Sequence, residues 1–169
     1  MEDVVNIATD SPIETDNLLD TIRRWGDDLG FQALGFTGID LNQHSDYLDK
    51  WLQAGYHGEM AWMARHGDKR SRPEVLMPGT CTVITARMDY LPEGADPTAI
   101  LAQSDKAYIS RYALGRDYHK LIRSRLAKLA KRIETHLGGG HYRAFVDSAP
   151  VLERALAENA GLGWIGKNT

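Results

Sequence analysis

Apolar residues recur at helical spacing in several stretches of the chain. The first stretch begins at Thr15 or Asp16, either of which is a suitable N-cap, and runs to about Leu29, before Gly30. Its apolar positions lie on one side of a helix: Leu18, Leu19, Ile22, Trp25 and Leu29. Shorter helices are predicted over about residues 45–54, 59–65 and 150–160. The pattern therefore predicts a set of helices that each bury one face.

The longest predicted helix runs from Tyr118 to Leu137, with Asp117 as its N-cap and Gly138 after its end. Its apolar residues are spaced by four, three, four and four positions: Ile122, Leu126, Leu129, Ile133 and Leu137. Basic residues occupy the opposite side: Lys120, Arg123, Arg125, Lys128, Lys131 and Arg132. We expect this helix to pack its apolar stripe against a sheet and to present a positive surface to solvent.

Three segments have the β-branched or alternating composition of strands, namely residues 31–39, 81–90 and 141–147. Cys81 begins the second strand and is expected to be a small core residue. Residues 91–105 are expected to form a loop that holds at most a short helix. Because helices and strands alternate, the sequence predicts an α/β or α+β fold with a mixed β-sheet flanked by helices. We expect a mobile arm over residues 1–15 and one domain over residues 16–169.

The composition is that of an ordinary soluble globular domain, with 43% hydrophobic and 25% charged residues. No apolar run approaches the roughly 18 residues that a membrane helix needs. The first ten residues are acidic where a secretory signal would be basic and then apolar. A cytoplasmic protein without a membrane role is therefore expected, and we expect it to be a monomer.

The charges are distributed unevenly along the chain. Residues 1–60 hold 12 acidic and 3 basic residues, and residues 61–169 hold 11 acidic and 17 basic residues. Two interpretations of the basic part stand side by side: a solvated helix face, which is the usual role of such charges, or a surface that meets a polyanion.

Asp147 is the candidate catalytic residue that the local pattern favours. The apolar run 144–146 delivers this carboxylate to the end of a predicted strand, where Ser148 can cap the next helix and Pro150 falls near its first turn. Such junctions often carry ligand chemistry in α/β proteins. A carboxylic acid there can donate a proton at neutral pH if burial raises its pKa. The alternative is that Asp147 only caps the helix.

A glycine-rich segment follows that helix. Gly161, Gly163 and Gly166 allow close approach of a flat or bulky ligand, and Trp164 offers an aromatic wall. The three glycines match the spacing of the dinucleotide-binding fingerprint. That motif must open a helix, and here the glycines follow one, so the match fails its structural context.

The segment from Ser110 to Lys120 is polar and aromatic and leads into the capped start of the long helix. Free N–H groups and the helix dipole favour anionic groups at such a position. Elsewhere, His57 and His66 are nine positions apart, which is too far for a zinc-binding pair on one helix. A zinc site is therefore not expected.

Four motifs, in this order, resemble the epoxyqueuosine reductase family. They are Y-H-G-E-M-A-W-M-A-R-H from Tyr56, S-R-Y-A-L-G-R-D-Y-H-K from Ser110, V-D-S-A-P-V-L-E-R from Val146 and G-L-G-W-I-G-K-N from Gly161. The resemblance implies a cobalamin-dependent, iron-sulfur enzyme, in architecture similar to reductive dehalogenases. It would reduce the epoxide of epoxyqueuosine to queuosine in a tRNA anticodon loop, so that tRNA and an electron donor are the implied partners.

The resemblance also implies roles for individual residues. Asp147 matches the aspartate that serves as general acid in the family, and Arg154, seven positions later with Glu153 as its neighbour, is expected near substrate or cofactor. The remaining residues expected to bind cobalamin are Arg70, Ser110, Tyr112, Arg116, Tyr118, His119, Gly163, Trp164 and Lys167. Arg70 could contact RNA in place of the cofactor, and simple solvation is an equal alternative for it. A cobalt ligand is the alternative for His119, but the spacing D-x-H-x-x-G of another cobalamin class is absent, and a hydrogen-bonding or positioning role is favoured.

Cys81 is the single cysteine, and a four-iron cluster needs four thiolates. The two 4Fe-4S clusters that the resemblance implies are therefore expected in a segment outside this chain. The chain is accordingly interpreted as a cobalamin-binding catalytic domain that is inactive without its iron-sulfur domain. Two other functions stay open: a non-catalytic cobalamin-binding or trafficking module, and an enzyme like the reductive dehalogenases.

Overall fold

The computed structural model describes residues 15–90 and 94–166. The predicted arm lies outside the described residues, except that Thr15 begins the first helix. The helices are α1 (Thr15–Asp28), α2 (Asn42–Gln53), α3 (Pro73–Leu76), α4 (Pro97–Leu101), α5 (Tyr118–Leu137) and α6 (Glu153–Asn159). Short 3-10 turns cover Ala61–Met63, Gly67–Arg70 and Arg111–Ala113. The strands are β1 (Ala33–Thr37) and β2 (Val83–Arg87).

Helix α5 has the predicted bounds, because its two ends are specified locally. The Asp117 carboxylate accepts a hydrogen bond from the backbone N–H of His119 at 3.0 Å, as an N-cap does. Gly138 ends the helix in the left-handed conformation, with φ of 73°. The apolar stripe packs on α1 and β1, where Leu129 joins Ile22, Phe31 and Leu34 in the principal core.

The two strands form an antiparallel pair in which Gly35 lies opposite Thr85. The predicted mixed sheet is wrong for the described residues, where this two-stranded ladder is the whole sheet. Residues 141–146 are not a strand, since they form a ladder with neither β1 nor β2. They cross the surface instead, and the Arg143 guanidinium donates to the Leu76 carbonyl at 3.3 Å. Helices with a small sheet are thus the observed fold.

Helix α6 packs against the sheet through a second core of Leu41, Ala155 and Leu156. The end of α6 lies very close to β1, because a Cβ placed on Gly35 would lie 2.6 Å from the Ala160 carbonyl oxygen. Gly161, with φ of 74°, then turns the chain away from the end of α6. This packing fixes the position of the glycine-rich segment.

Several local predictions are wrong in detail. Cys81 is exposed and is not a core residue, because the ladder begins two positions later. Helix α6 begins at Glu153, and Ser148 does not cap it, since the Ser148 hydroxyl bonds to the Val146 carbonyl. Residues 59–65 form turns around the 3-10 segment in place of an α-helix. No helix in the described part of the chain is long and apolar enough to span a membrane.

Candidate active site

Asp147 lies at a sharp turn between the extended segment 141–146 and α6. Among the described residues it is the one non-glycine residue with a left-handed backbone, at φ of 52°. Val146 is buried and anchors the turn. The Asp147 side chain is 49% exposed, so the burial expected from the sequence is not provided by the described residues alone.

The start of α5 supplies two side chains to the Asp147 carboxylate. The Tyr118 hydroxyl donates a hydrogen bond to Oδ2 of Asp147. Nε2 of His119 lies 3.5 Å from the same oxygen. The Tyr118 and His119 rings are stacked, with centroids 4.1 Å apart. This contact helps to hold the His119 ring in place. The hydrogen bond to Asp147 is the main cause that raises the pKa of Tyr118 to about 12, which keeps the phenol protonated.

Asp117 has two roles at this site. Its Oδ1 atom accepts the backbone N–H of His119 and also lies 3.0 Å from Nδ1 of the His119 ring. Hydrogen bonds from the His119 side chain and then from its backbone hold the pKa of Asp117 below its usual range. The helix cap therefore also orients the imidazole.

Aromatic residues extend the site away from Asp147. Tyr112 packs edge-on against Tyr118 at 6.2 Å, and Tyr90 packs in the same way against Tyr112 at 6.3 Å. Tyr90 and Tyr112 are largely exposed and offer an aromatic surface beside the carboxylate. Sequence reasoning missed Tyr90, although its position three residues after β2, at the end of a predicted strand, was an available signal.

A second carboxyl group lies close to Asp147. Partial desolvation and then the negative charge of Asp147 raise the pKa of Glu153, and a hydrogen bond with the Asp147 backbone opposes the shift. Glu153 is the first residue of α6. The backbone of the Asp147 turn is thus tied to the start of the helix that follows it.

Three of the predicted site residues line a separate open pocket of about 420 Å³. Arg154, Gly163 and Trp164 are among its lining residues, with Ala86 and Arg87 of β2. Trp164 is 82% exposed, so its ring is free to contact a ligand. The structure therefore divides the predicted residues into a cluster around Asp147, which holds Tyr112, Tyr118 and His119, and this pocket.

The other predicted residues lie outside both groups. Arg70 is buried, which excludes simple solvation, and its guanidinium donates to the carbonyls of Trp62 and Met63 at 3.3 Å each. Its own carbonyl accepts the Leu152 N–H at 3.0 Å, directly before α6. Ser110 and Arg116 are exposed on the segment that leads to α5. Lys167 lies outside the described residues.

The described residues contain no group of three or more His, Cys, Asp or Glu side chains placed to hold a metal ion. What the fold and the site define is a small α+β domain with an exposed acid. Its carboxylate is held by a phenol and an imidazole and is flanked by an aromatic surface. Such an arrangement can orient a substrate and deliver a proton to it.

Comparison with known proteins identifies the relatives of this domain. Residues 70–148 match the family described as "Epoxyqueuosine reductase QueG, DUF1730". The epoxyqueuosine reductase of Pseudomonas aeruginosa is 59% identical over 159 residues, which are 94% of this chain and 44% of that protein. The structure of epoxyqueuosine reductase from Streptococcus thermophilus superposes with a TM-score of 0.74 at 28% identity, over 90% of this chain and 40% of that one.

Another solved epoxyqueuosine reductase, which holds an epoxyqueuosine-modified tRNA-Tyr stem loop, shares the fold with a TM-score of 0.67 at 23% identity, over 90% of this chain and 40% of that one. In sequence and in fold, this chain is therefore similar to part of the epoxyqueuosine reductases. It spans about two-fifths of the length of the relatives that it matches.

Proposed function

We propose that this chain carries the acid group of an epoxyqueuosine reductase, with Asp147 as the proton donor to the epoxide oxygen of epoxyqueuosine in a tRNA anticodon. The observation that carries the proposal is the Asp147 carboxylate held between the Tyr118 hydroxyl and the His119 imidazole. The names of its relatives support the choice of substrate.

The reaction needs an acid because an epoxide oxygen is a poor leaving group until it is protonated. Oxygen removed as water carries away two protons, while two electrons reduce the two carbon atoms to a double bond. A carboxylic acid fixed by two neighbours is oriented for that transfer. The 49% exposure of Asp147 leaves room for a substrate or cofactor beside the carboxyl group.

Cobalamin is the cofactor that the resemblance implies, and the pocket residues fit it by their chemistry. Arg154 offers donors for amide or phosphate oxygens, and the exposed Trp164 ring offers a flat apolar surface. A Cβ at Gly163 would meet nothing within 4 Å, so the backbone is open to a ligand at this position. When bound, cobalamin would supply reducing electrons to the epoxide. Because this chain has one cysteine, Cys81, the thiolates of the 4Fe-4S clusters that the resemblance implies would have to come from elsewhere.

A tRNA stem loop would meet the solvent side of α5. Lys120, Arg123 and Lys128 are exposed there. Arg125 differs from the sequence-based expectation, because it is half-buried and its guanidinium points toward the Met88 sulfur at 3.8 Å. Arg132 contacts Asp28 at 3.3 Å. Lys120, Arg123 and Lys128 are thus the basic residues of α5 that are best placed to contact phosphates.

The test of this proposal is Asp147→Asn in a fusion of this chain with the part of the Pseudomonas aeruginosa relative that lies outside the match. Asparagine keeps the size and much of the hydrogen bonding but carries no acidic proton. We expect folding and cobalamin binding to persist, while turnover of epoxyqueuosine-containing RNA falls by roughly 10²–10⁴-fold.

Asp49→Asn, on the surface helix α2, is the matched control and should leave turnover unchanged. Turnover of Asp147→Asn at the parental rate would remove Asp147 from the mechanism. A fusion that binds cobalamin but never reduces the RNA would identify a non-catalytic binding module instead. The unfused chain should bind cobalamin and reduce nothing unless a strong external reductant is added.

A further inference from the structure

The stoichiometry of the proposed reaction demands a second proton at the site. When both C–O bonds of an epoxide break and a C=C bond forms, the oxygen leaves as water with two protons, and two electrons enter from a low-potential one-electron donor. A single carboxylic acid holds one proton. Asp147 must therefore be reprotonated during each turnover, and the source has to lie within reach of its carboxylate.

Tyr118 is one neighbour of that carboxylate, but it is a poor source. Its hydroxyl already donates to Oδ2 of Asp147. Because the pKa of Tyr118 is raised to about 12, the phenol would give up its proton far less readily than a carboxylic acid or an imidazolium. Tyr118 therefore orients Asp147 and keeps its own proton.

His119 has the geometry of a proton source. Its Nδ1 atom lies 3.0 Å from the Asp117 carboxylate, and its Nε2 atom lies 3.5 Å from Oδ2 of Asp147. A carboxylate beside Nδ1 keeps a proton on that atom, so Nε2 is the atom that gains and loses one. The side chain is 40% exposed, and water can therefore reprotonate it.

We propose that Asp117, His119 and Asp147 form a proton relay that recharges the acid, an inference that rests on the proposed function. When Asp147 protonates the departing oxygen, the O–H bond of its carboxyl group breaks and a new O–H bond forms on that oxygen. Asp147 is left as a carboxylate. The His119 imidazolium then transfers its Nε2 proton to Oδ2 of Asp147 and becomes neutral with its proton on Nδ1. Water returns a proton to Nε2. Asp117 is a positioning residue, since it acts only through the His119 ring.

The first experiment measures the tautomer of His119 in this chain by ¹⁵N NMR of the ring nitrogens. The neutral ring should carry its proton on Nδ1. Asp117→Asn removes the carboxylate charge but keeps an N-cap oxygen for the backbone N–H, so the helix persists while the tautomer shifts toward Nε2–H. His66, which is exposed, provides the reference signal. An Nε2–H tautomer in the unsubstituted chain, or one unchanged by Asp117→Asn, would overturn the relay.

The second experiment measures turnover in the fusion described above. His119→Ala should reduce the rate by about 10–100-fold, and imidazole in the buffer should restore part of it, because a free imidazole can occupy the vacated space and donate a proton. Imidazole should not restore Asp147→Asn. A folded His119→Ala protein that works at the parental rate, or that imidazole fails to rescue, would contradict the relay. Absence of turnover in the unsubstituted fusion would instead overturn the proposed function itself.

Discussion

At the scale of single residues, the carboxyl groups of Asp147 and Glu153 lie close together in different environments. Asp147 is exposed to the region where a substrate would lie, and Glu153 is partly desolvated behind it. Partial desolvation and then the charge of Asp147 make ionisation of Glu153 less favourable, so the pKa of Glu153 is raised.

The raised pKa of Glu153 predicts a pH-dependent effect of Glu153→Gln. A raised pKa in the folded state means that Glu153 stabilises the fold below the usual glutamate range and that this stability is lost as pH rises through the raised pKa. Glutamine should therefore increase the free energy of unfolding at neutral pH, and the difference should shrink on acidification. Urea unfolding at several pH values measures it.

The control for that prediction has the opposite sign. A hydrogen bond from its own backbone and then one from Arg72 hold the pKa of Glu74 below its usual range. Glu74→Gln should thus lower stability at neutral pH, with an effect that fades as pH falls. Equal responses of the two variants would contradict the raised pKa of Glu153.

At the scale of elements, the position of α6 relative to β1 decides where the pocket lies. The end of α6 rests on Gly35, and the chain then turns at Gly161 toward the pocket residues Gly163 and Trp164. Arg70 supports the other end of α6, because its carbonyl binds the Leu152 N–H. The helix that follows Asp147 is therefore held at both ends by contacts distant in sequence.

Gly35→Ala tests the contact between the strand and the helix. The new Cβ would lie 2.6 Å from the Ala160 carbonyl oxygen and 2.8 Å from the Ala160 Cβ, so α6 must shift. We expect a loss of about 1–3 kcal/mol in the free energy of unfolding, measured by chemical denaturation, and weaker cobalamin binding. Gly38→Ala is the matched control, since nothing lies within 4 Å of its Cβ. Equal stabilities of the two variants would contradict the described packing.

At the scale of the whole molecule, acidic residues predominate in the first third of the sequence, and basic residues occupy one side of α5. Residues 1–60 hold 12 acidic and 3 basic residues, whereas residues 61–169 hold 11 acidic and 17 basic residues. Some of these bases contact acids within the fold, as Arg132 does with Asp28 and Lys131 does with Glu134. The exposed remainder on α5 forms the surface that a polyanion would meet.

Replacing Lys120, Arg123 and Lys128 together by glutamate should weaken binding of an anticodon stem loop and reduce its salt dependence, because fewer counterions are released. Cobalamin binding should be unchanged. Lys50→Glu, on α2 beside Asp46 and Asp49, is the control and should have little effect. The affinities of the triple variant and of Lys50→Glu can be measured by fluorescence anisotropy at several salt concentrations. An unaltered affinity of the triple variant would leave α5 as a solvated face.

The sequence by itself determined the features that depend on neighbours along the chain. Helix α5 was predicted with its observed bounds, because its Asp117 cap, its apolar spacing and Gly138 are all local signals. The centres of β1 and β2 also followed from composition. The same reasoning placed a strand at residues 141–147, since alternation specifies an extended backbone but not an edge to pair with.

Only the tertiary structure decided which side chains meet. Tyr118 and Asp147 are 29 positions apart, and the sequence alone could not show that the phenol reaches the carboxylate. It also could not show that Arg70 is buried, or that Arg154 and Trp164 share a pocket that does not include Asp147. These contacts depend on how α5 and α6 pack around a small sheet. That packing is set by the sum of many distant apolar contacts, which no single motif encodes.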